Sequence, residues 1–262
     1  MTIALGITTW NRPDFAKACV KSVAEHLTGV VDYLFLYNDA SEIQYAESYN
    51  DIYKSFEAVG GIVFDATENK GVAFAKNRLL EAMLETDADW FFLLEDDHVI
   101  TDPKAITEYV ATSERTGIHH LSFCHYGAAS KEDYLVESSN GVDYFRLCGA
   151  TYTSFSRECI EGSGLFDERF YNAWEHIEHE LRLMKDGFMP TCRAYHHPDV
   201  HGSQDWIREQ ENADELSSIR TPDGDKRQLD IGLLNWKTFH PDTYTAFMGT
   251  NLGLWQWINE NR

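Results

Sequence analysis

Apolar and polar positions alternate in blocks along the first hundred residues. "TIALGITTW" (2–10) is a compact β-like run that stops at Asn11-Arg12-Pro13, where the proline suits the first turn of a helix. Phe15, Cys19, Val23 and Leu27 then recur every fourth residue, the period of an amphipathic helix. "VVDYLFLY" (30–37) reads as a second strand that halts at "NDAS", with a polar helix following to about residue 58. "GGIVFDAT" (60–67) reads as a third strand. "NKGVAFAKNRLLEAML" reads as a loop running into a helix with Val72, Ala75, Leu79 and Met83 on one face. "WFFLLED" supplies a fourth strand. Strands alternating with helices predict an α/β fold with a mostly parallel sheet.

Beyond residue 100 the alternation weakens. "IHHLSFC" (118–124), "VDYFRLC" (142–148) and "TYTSFS" (151–156) read as strands of a mixed region, and "PTCRAY" as a further one. "NAWEHIEHELRLMKDGF" (172–188) predicts a helix closed by Gly187 as its C-cap residue. Residues 208–230 are polar and charged, with a "TPDG" turn, and read as a loop. Trp236, Phe239, Tyr244, Phe247, Trp255 and Trp257 give the tail too many large aromatics for a disordered end. No repeat or low-complexity tract interrupts the chain.

Composition narrows the class. The 262 residues suffice for one large domain, or for one domain with an elaborated C-terminal part. Hydrophobic residues make up 43% and charged residues 25%, ordinary for a globular protein. No apolar segment approaches the roughly 18 residues of a membrane span. The N-terminus lacks a basic segment and a cleavage site, so it reads as structure rather than a signal peptide. Five cysteines without paired spacing predict free thiols in a reducing compartment, hence a cytoplasmic setting. A net charge of −21 disfavours sequence-independent nucleic-acid binding, which depends on Lys and Arg neutralising phosphates. It also means that an anionic ligand needs a metal cation or a few well-placed Lys and Arg at its site.

The candidate chemistry lies where the strands end. In "WFFLLEDDHVI", five large apolar residues from Trp90 to Leu94 run straight into Glu95, Asp96 and Asp97. Like charges so close repel, so the cluster calls for a compensating cation. Ligands of open parallel sheets bind at the carboxyl ends of strands. Three polar strand ends, Thr8 to Arg12, Asn38 to Ser41 and Glu95 to His98, should therefore converge on one crevice. Carboxylates there suit a hard divalent cation that shares its oxygen ligands with a substrate phosphate. The plainer alternative is that Asp96 or Asp97 caps a following helix.

Six pieces, in order from residue 3 to residue 201, weigh against that alternative. They are "GITTWNRP", "YNDAS", "NKGVAFAKN", "LLEDD", "CGATYTSFSRECIEGSGLFDERF" and "WEHIEHELRLMKDGF". Each alone is ordinary, but the ordered set resembles a GT-A-fold glycosyltransferase of the family 2-like group. The resemblance implies a Rossmann-like, mostly parallel twisted sheet with helices on both faces and an aromatic-rich C-terminal extension. It implies a GT-A domain over 1–205, with a nucleotide-binding half at 1–100 and a sugar and acceptor half at 101–205. Residues 206–262 would be an extension packed on the same domain.

By the same resemblance the chain would transfer sugar from a nucleoside-diphosphate sugar, a UDP-sugar first, with Mn²⁺ or Mg²⁺ as cofactor. Asp39 would hydrogen-bond the nucleobase. Thr8, Asn11 and Arg12 would belong to the nucleotide-side loop, and Asn69, Lys76 and Asn77 to the nucleoside and pyrophosphate side. Asp97 would be the main metal ligand, with Glu95 at the ribose or metal shell and Asp96 also on the donor side. Gly149 and Ala150 would shape the sugar pocket. The family helix commonly carries Glu-Asp, the carboxylate serving inverting members as general base, where this chain has Glu175-His176. Glu175 is then the first candidate base, His176 the second and Glu178 lies nearby, while a mechanism without a base, or with retention, stays open. A late histidine, His196, His197 or His201, would complete the metal shell, with His196 and His201 the stronger candidates. His119, His120 and His125 read as structural.

The rivals are a sugar-nucleotide nucleotidyltransferase, whose Gly-rich, Arg-containing phosphate loop "GITTWNRP" lacks, and a non-catalytic binding module of the same fold. A glycan, a lipid-linked glycan, a small molecule, a protein or a modified nucleic-acid base would each serve as acceptor.

Overall fold

The unbroken apolar runs of the sequence become the centre of one sheet. A computed structural model describes residues 1–125, 134–146, 148–190, 196–213 and 227–248, with backbone alone at 227, 228 and 246–248. Strands β1 (Ile3–Thr9), β2 (Tyr33–Asn38), β3 (Ile62–Asp65) and β4 (Trp90–Glu95) lie in the order β3-β2-β1-β4 and are all parallel. Beyond β4, the sheet continues with β9 (Tyr152–Ser156), antiparallel to β4, and then β6 (His120–Ser122).

Every residue of β1 is buried, and β4 is buried up to Glu95. Helices cover both faces, so consecutive strand residues point into two different cores. Trp90, Phe92 and Leu94 join the core built with α1 (Pro13–Leu27), α2 (Ala46–Glu57) and α4 (Lys104–Thr116). Phe91 and Leu93 join the core built with α3 (Val72–Leu84), α5 (Arg157–Ser163) and α6 (Glu175–Asp186). Gly6 lets α3 approach β1 closely, because a Cβ there would come 2.6 Å from the Met83 methyl. Fully buried aromatics such as Phe91 and Phe92 are worth about 3–5 kcal/mol each against truncation. The strand ends that carry the polar loops therefore sit on a rigid base.

Several elements differ from the sequence expectation. The third strand is confined to Ile62–Asp65 and carries exposed residues, as an edge strand does. The polar helix after "NDAS" is preceded by a short 3₁₀ turn at Ile43–Tyr45. The helix expected over 172–188 starts only at Glu175, because Trp174 takes a left-handed backbone with φ 71°, and it does close on left-handed Gly187. Two small sheets were not foreseen. One pairs β7 (Leu135–Ser139), β8 (Val142–Phe145) and β10 (His197–Val200), all antiparallel. The other pairs β5 (His98–Ile100) with β11 (Ile207–Glu209).

Helices α7 (Arg227–Phe239) and α8 (Pro241–Met248) follow near the C-terminus. Trp236 is fully buried in the α3/α6 core and lies against Trp174, with ring centroids 5.8 Å apart. The Trp174 indole N–H donates to the Leu229 carbonyl at 2.9 Å, so α7 braces the start of α6. The strand expected at "PTCRAY", most of the 208–230 loop, the Phe247 side chain, Cys192, Trp255 and Trp257 lie outside the described residues. The other four cysteines are free and buried. Among the described residues, no helix is long and apolar enough to cross a membrane.

Candidate active site

The strand order turns at β1: the chain lays β2 and β3 on one side of it and β4 on the other. Thr8 pairs with Glu95 and Thr9 with Asn38, so the three strand ends finish level. Loops leaving adjacent strands in opposite directions open a crevice there. Six non-glycine residues among those described have positive φ, and four of them, Asn11, Ala40, Ala150 and Trp174, are next in the chain to the candidate residues Arg12, Asp39, Gly149 and Glu175. Such backbone costs of order 1–3 kcal/mol per residue and persists where the surroundings over-determine it, which occurs mostly at functional sites.

The acidic run is internally paired. Asp96 is fully buried; its Oδ2 accepts from the Thr9 hydroxyl at 2.6 Å and its Oδ1 meets the Arg12 guanidinium. Asp97 Oδ2 accepts from Arg12 Nη1 at 3.1 Å, and its Oδ1 lies 2.8 Å from His98 Nδ1. Burial pushes the Asp96 carboxyl up to about 7. Burial also works against ionisation of Asp97, but the His98 and Arg12 contacts outweigh it and hold this carboxyl well below the usual range. Asp97 is the less buried of the two, and the Arg12 and His98 contacts keep it charged.

Lys76 ties the acidic run to the far wall. Its ammonium lies 2.9 Å from Glu95 Oε1 and 3.1 Å from Glu175 Oε1, and 3.4 Å from the Ala150 carbonyl oxygen. Lys76 is a residue of α3, Glu175 the first residue of α6, and Ala150 part of the turn before β9. Burial would raise the Glu175 carboxyl, but the Lys76 charge, with His176 assisting, brings it well below the usual range. His176 Nδ1 lies 3.7 Å from Glu175 Oε1, and the His176 side chain is 17% exposed.

The "NDAS" and "NKG" turns lock onto each other. Asp39 accepts from the backbone N–H groups of Lys70, at 3.0 Å, and Gly71, at 2.8 Å. Burial raises its carboxyl above the ordinary value against those two bonds. Gly71 is left-handed at φ 89°, and a Cβ there would run into the Tyr171 carbonyl oxygen, so only glycine fits. Asn69 accepts from the Tyr171 hydroxyl. Asn77, expected on the nucleoside side, holds Phe166 through both its backbone N–H and C=O, at 2.9 Å each, and Glu168 at 3.0 Å. Its amide serves to pin the 166–168 segment. Gly149 sits beside Ala150 at the mouth of the turn.

The late histidines divide: His197 is buried, with its Nδ1 2.9 Å from Glu180 Oε2 and its ring centroid 6.4 Å from that of His176. His201 is 70% exposed and pairs with Asp143 at 3.0 Å. Burial lowers the His196 imidazole, and the charges acting on it come from Arg146, His197 and Glu137. Among the described residues, no three His, Cys, Asp or Glu side chains gather to hold a metal ion. Asp97 is engaged by Arg12 and His98, and His201 by Asp143. The chemistry at the end of β4 nonetheless fits a hard cation. Three acidic side chains, Glu95, Asp96 and Asp97, face two basic ones, Arg12 and Lys76, and the Asp97 carboxylate is maintained.

Three contributors had no assigned role, although Thr9 and His98 lie within the polar strand ends read from the sequence. His98 orients Asp97 and reaches Thr151 Oγ1 at 3.3 Å. The Thr9 hydroxyl bridges Asp96 and the Tyr49 hydroxyl, 2.8 Å away. Gln210 donates to the Asp96 carbonyl at 2.7 Å. Gln210 alone carried no local signal.

No protein-family model matches the sequence, and no curated protein matches it. Solved structures establish that the chain has the GT-A fold of glycosyltransferases. TarS from S. aureus is similar over 95% of this chain and 43% of its own, with a TM-score of 0.60 and 11% identity. GalNAc-T7, solved with UDP, GalNAc and Mn²⁺, is similar over 100% of this chain and 54% of its own, with a TM-score of 0.59 and 11% identity. The mannosyltransferase PcManGT from Pyrobaculum calidifontis, solved with GDP-Man and Mn²⁺, is similar over 98% and 79%, with a TM-score of 0.55 and 11% identity. The chain spans less than half the length of TarS and about half that of GalNAc-T7.

Proposed function

We propose that the protein transfers a sugar from a nucleoside-diphosphate sugar, a UDP-sugar first, to an acceptor hydroxyl, with a divalent cation and with inversion. One observation supports this reading: in a GT-A fold, Asp39 and Asp97 follow the ends of β2 and β4, and Lys76 joins Glu95 at the end of β4 to Glu175 at the start of α6. The UDP and Mn²⁺ bound by GalNAc-T7 and the GDP-Man and Mn²⁺ bound by PcManGT support it.

In this reading Asp39 accepts from a ring N–H of the base with the lone pairs that Lys70 and Gly71 leave over, and Asn69 lines the nucleoside. Thr8, Asn11 and Arg12 form the loop beneath the nucleotide, and Glu95 faces the ribose. Mn²⁺ or Mg²⁺ would be held by Asp97 and would stabilise the departing diphosphate as a Lewis acid. A site with more acidic than basic side chains repels a bare diphosphate, which is why a cation is required. Gly149 and left-handed Ala150 border the sugar. The acceptor oxygen attacks the anomeric carbon, the bond from that carbon to the diphosphate oxygen breaks, and the acceptor proton passes to Glu175.

The pairing of Glu175 with Lys76 favours one second assignment, because a carboxylate held so low is a weak proton acceptor. His176 would then take the proton and Glu175 would orient it. The segment from 206 onward acts as a brace, supported by the Trp174–Trp236 contact. Buried free thiols suit a cytoplasmic setting.

Calorimetric titration with UDP, GDP and CDP in Mn²⁺ tests the donor half. UDP should bind most tightly. Asp39→Ala should weaken it by about 1–3 kcal/mol, the range for a hydrogen-bond partner left unmet. Equal affinity of variant and wild type removes Asp39 from the site, and absence of nucleotide binding removes the reading.

A further inference from the structure

Lys76 is 2% exposed, yet its ammonium has three acceptors on three separate elements. An ammonium has three N–H groups. Glu95 on β4, Glu175 on α6 and the Ala150 carbonyl use them all, which leaves none for a phosphate. The sequence separations are 19, 99 and 74 residues, so this contact links the acidic run, the helix of the candidate base and the sugar-side turn. Glu175 is almost fully buried. The groups facing it are Lys76 from α3, His176 on its own helix and, across the ammonium, Glu95 from β4. The N-terminus of α6 adds a favourable dipole.

We infer that Lys76 is a positioning residue rather than a donor ligand: it fixes the Glu175 carboxylate in place and sets it in register with the acidic run and the Ala150 turn. The inference rests on the transferase reading for its purpose but not for its test. A buried carboxyl without its cation reverts toward the neutral form, because desolvation then goes unopposed. In the wild type the Glu175 carboxyl is depressed, so its contribution to stability is present above the unfolded value near 4.5 and lost only as pH falls through the folded one. In Lys76→Met the folded value rises above the unfolded one, so stability is lost as pH rises toward neutrality.

The test uses protein labelled with ¹³C at glutamate carboxyls, with the Glu175 resonance assigned by its disappearance in Glu175→Gln. In the wild type that resonance should not titrate between about pH 5 and 8. In Lys76→Met it should titrate with a midpoint raised by about 2 units or more over an ordinary glutamate. Lys76→Arg should behave as the wild type. UDP affinity of Lys76→Met, measured calorimetrically with Mn²⁺, should stay within about threefold. If turnover is measurable, its acid limb should move upward with the carboxyl. An unmoved Glu175 resonance overturns the inference, and a tenfold loss of UDP affinity without that shift makes Lys76 a donor ligand. If Lys76→Met fails to fold, the double variant Lys76→Met/Glu175→Gln, which removes the stranded carboxylate, should fold and bind UDP. If it too is unfolded, Lys76 is a packing residue and the inference is wrong. A shifted resonance in a protein that transfers no sugar leaves the Lys76 assignment standing and removes the transferase reading alone.

Discussion

Asp97→Ala should lose about 10²-fold or more of donor-dependent turnover while keeping its fold. The activity loss follows from charge. Removing Asp97 takes away the carboxylate proposed to hold the cation, and a diphosphate leaving group without its cation departs slowly. The fold should persist because Asp97 lies at a strand end, and Arg12 keeps its pairing to Asp96 when Asp97 is gone. The melting temperature should fall, because Asp97 is buried and its contacts to Arg12 and His98 are lost, while the variant stays folded at the assay temperature. Mn²⁺ binding, followed by electron paramagnetic resonance without any donor, should weaken in parallel. Near-normal turnover of the variant in Mn²⁺ would show that the acidic run does other work.

The second large effect concerns the base. A general base contributes typically 10²–10⁴-fold. Glu175→Gln should lose that much in kcat with donor affinity nearly unchanged, since the base acts on the acceptor. The amide is isosteric and can still accept from Lys76, so the geometry survives. His176→Ala should lose less, through a less well-held Glu175. The reverse ranking, with His176→Ala inactive and Glu175→Gln mild, would give the proton to His176. If both variants transfer at the wild-type rate and the product keeps the donor's anomeric configuration, inversion itself is wrong.

The first half of the fold was legible because its signals are local. β1, β2 and β4 are buried on both faces and therefore read as continuous apolar runs. The second half is less so. β7 is polar and largely exposed, which leaves no alternation to read. β5 and β11 are three residues each and exist only because residues about a hundred apart pair. Helix α4 did carry a signal, in the spacing of Ile106, Tyr109 and Val110 before left-handed Gly117, and went unread. At the site, the converging strand ends followed from topology and placed Asp39, Glu95 and Asp97. What each side chain touches did not follow. Nothing near residue 76 announces a partner at 175, and nothing near residue 77 announces that Asn77 will hold Phe166. The late histidines were singled out by their clustering in sequence, but neighbours along a strand and its turn point in different directions, and His196 and His201 end beside other charges.

The most direct test of sugar transfer at this crevice is product release from a panel of UDP-, GDP- and CDP-sugars in Mn²⁺, with and without chelator. At least one donor, a UDP-sugar first, should yield nucleoside diphosphate and free or transferred sugar. Chelator and Asp97→Ala should each suppress this. Release of pyrophosphate from a nucleoside triphosphate and a sugar phosphate, with no nucleoside diphosphate from any donor, would contradict it and point to a nucleotidyltransferase. Nucleotide binding without any product would leave a binding module in place of an enzyme.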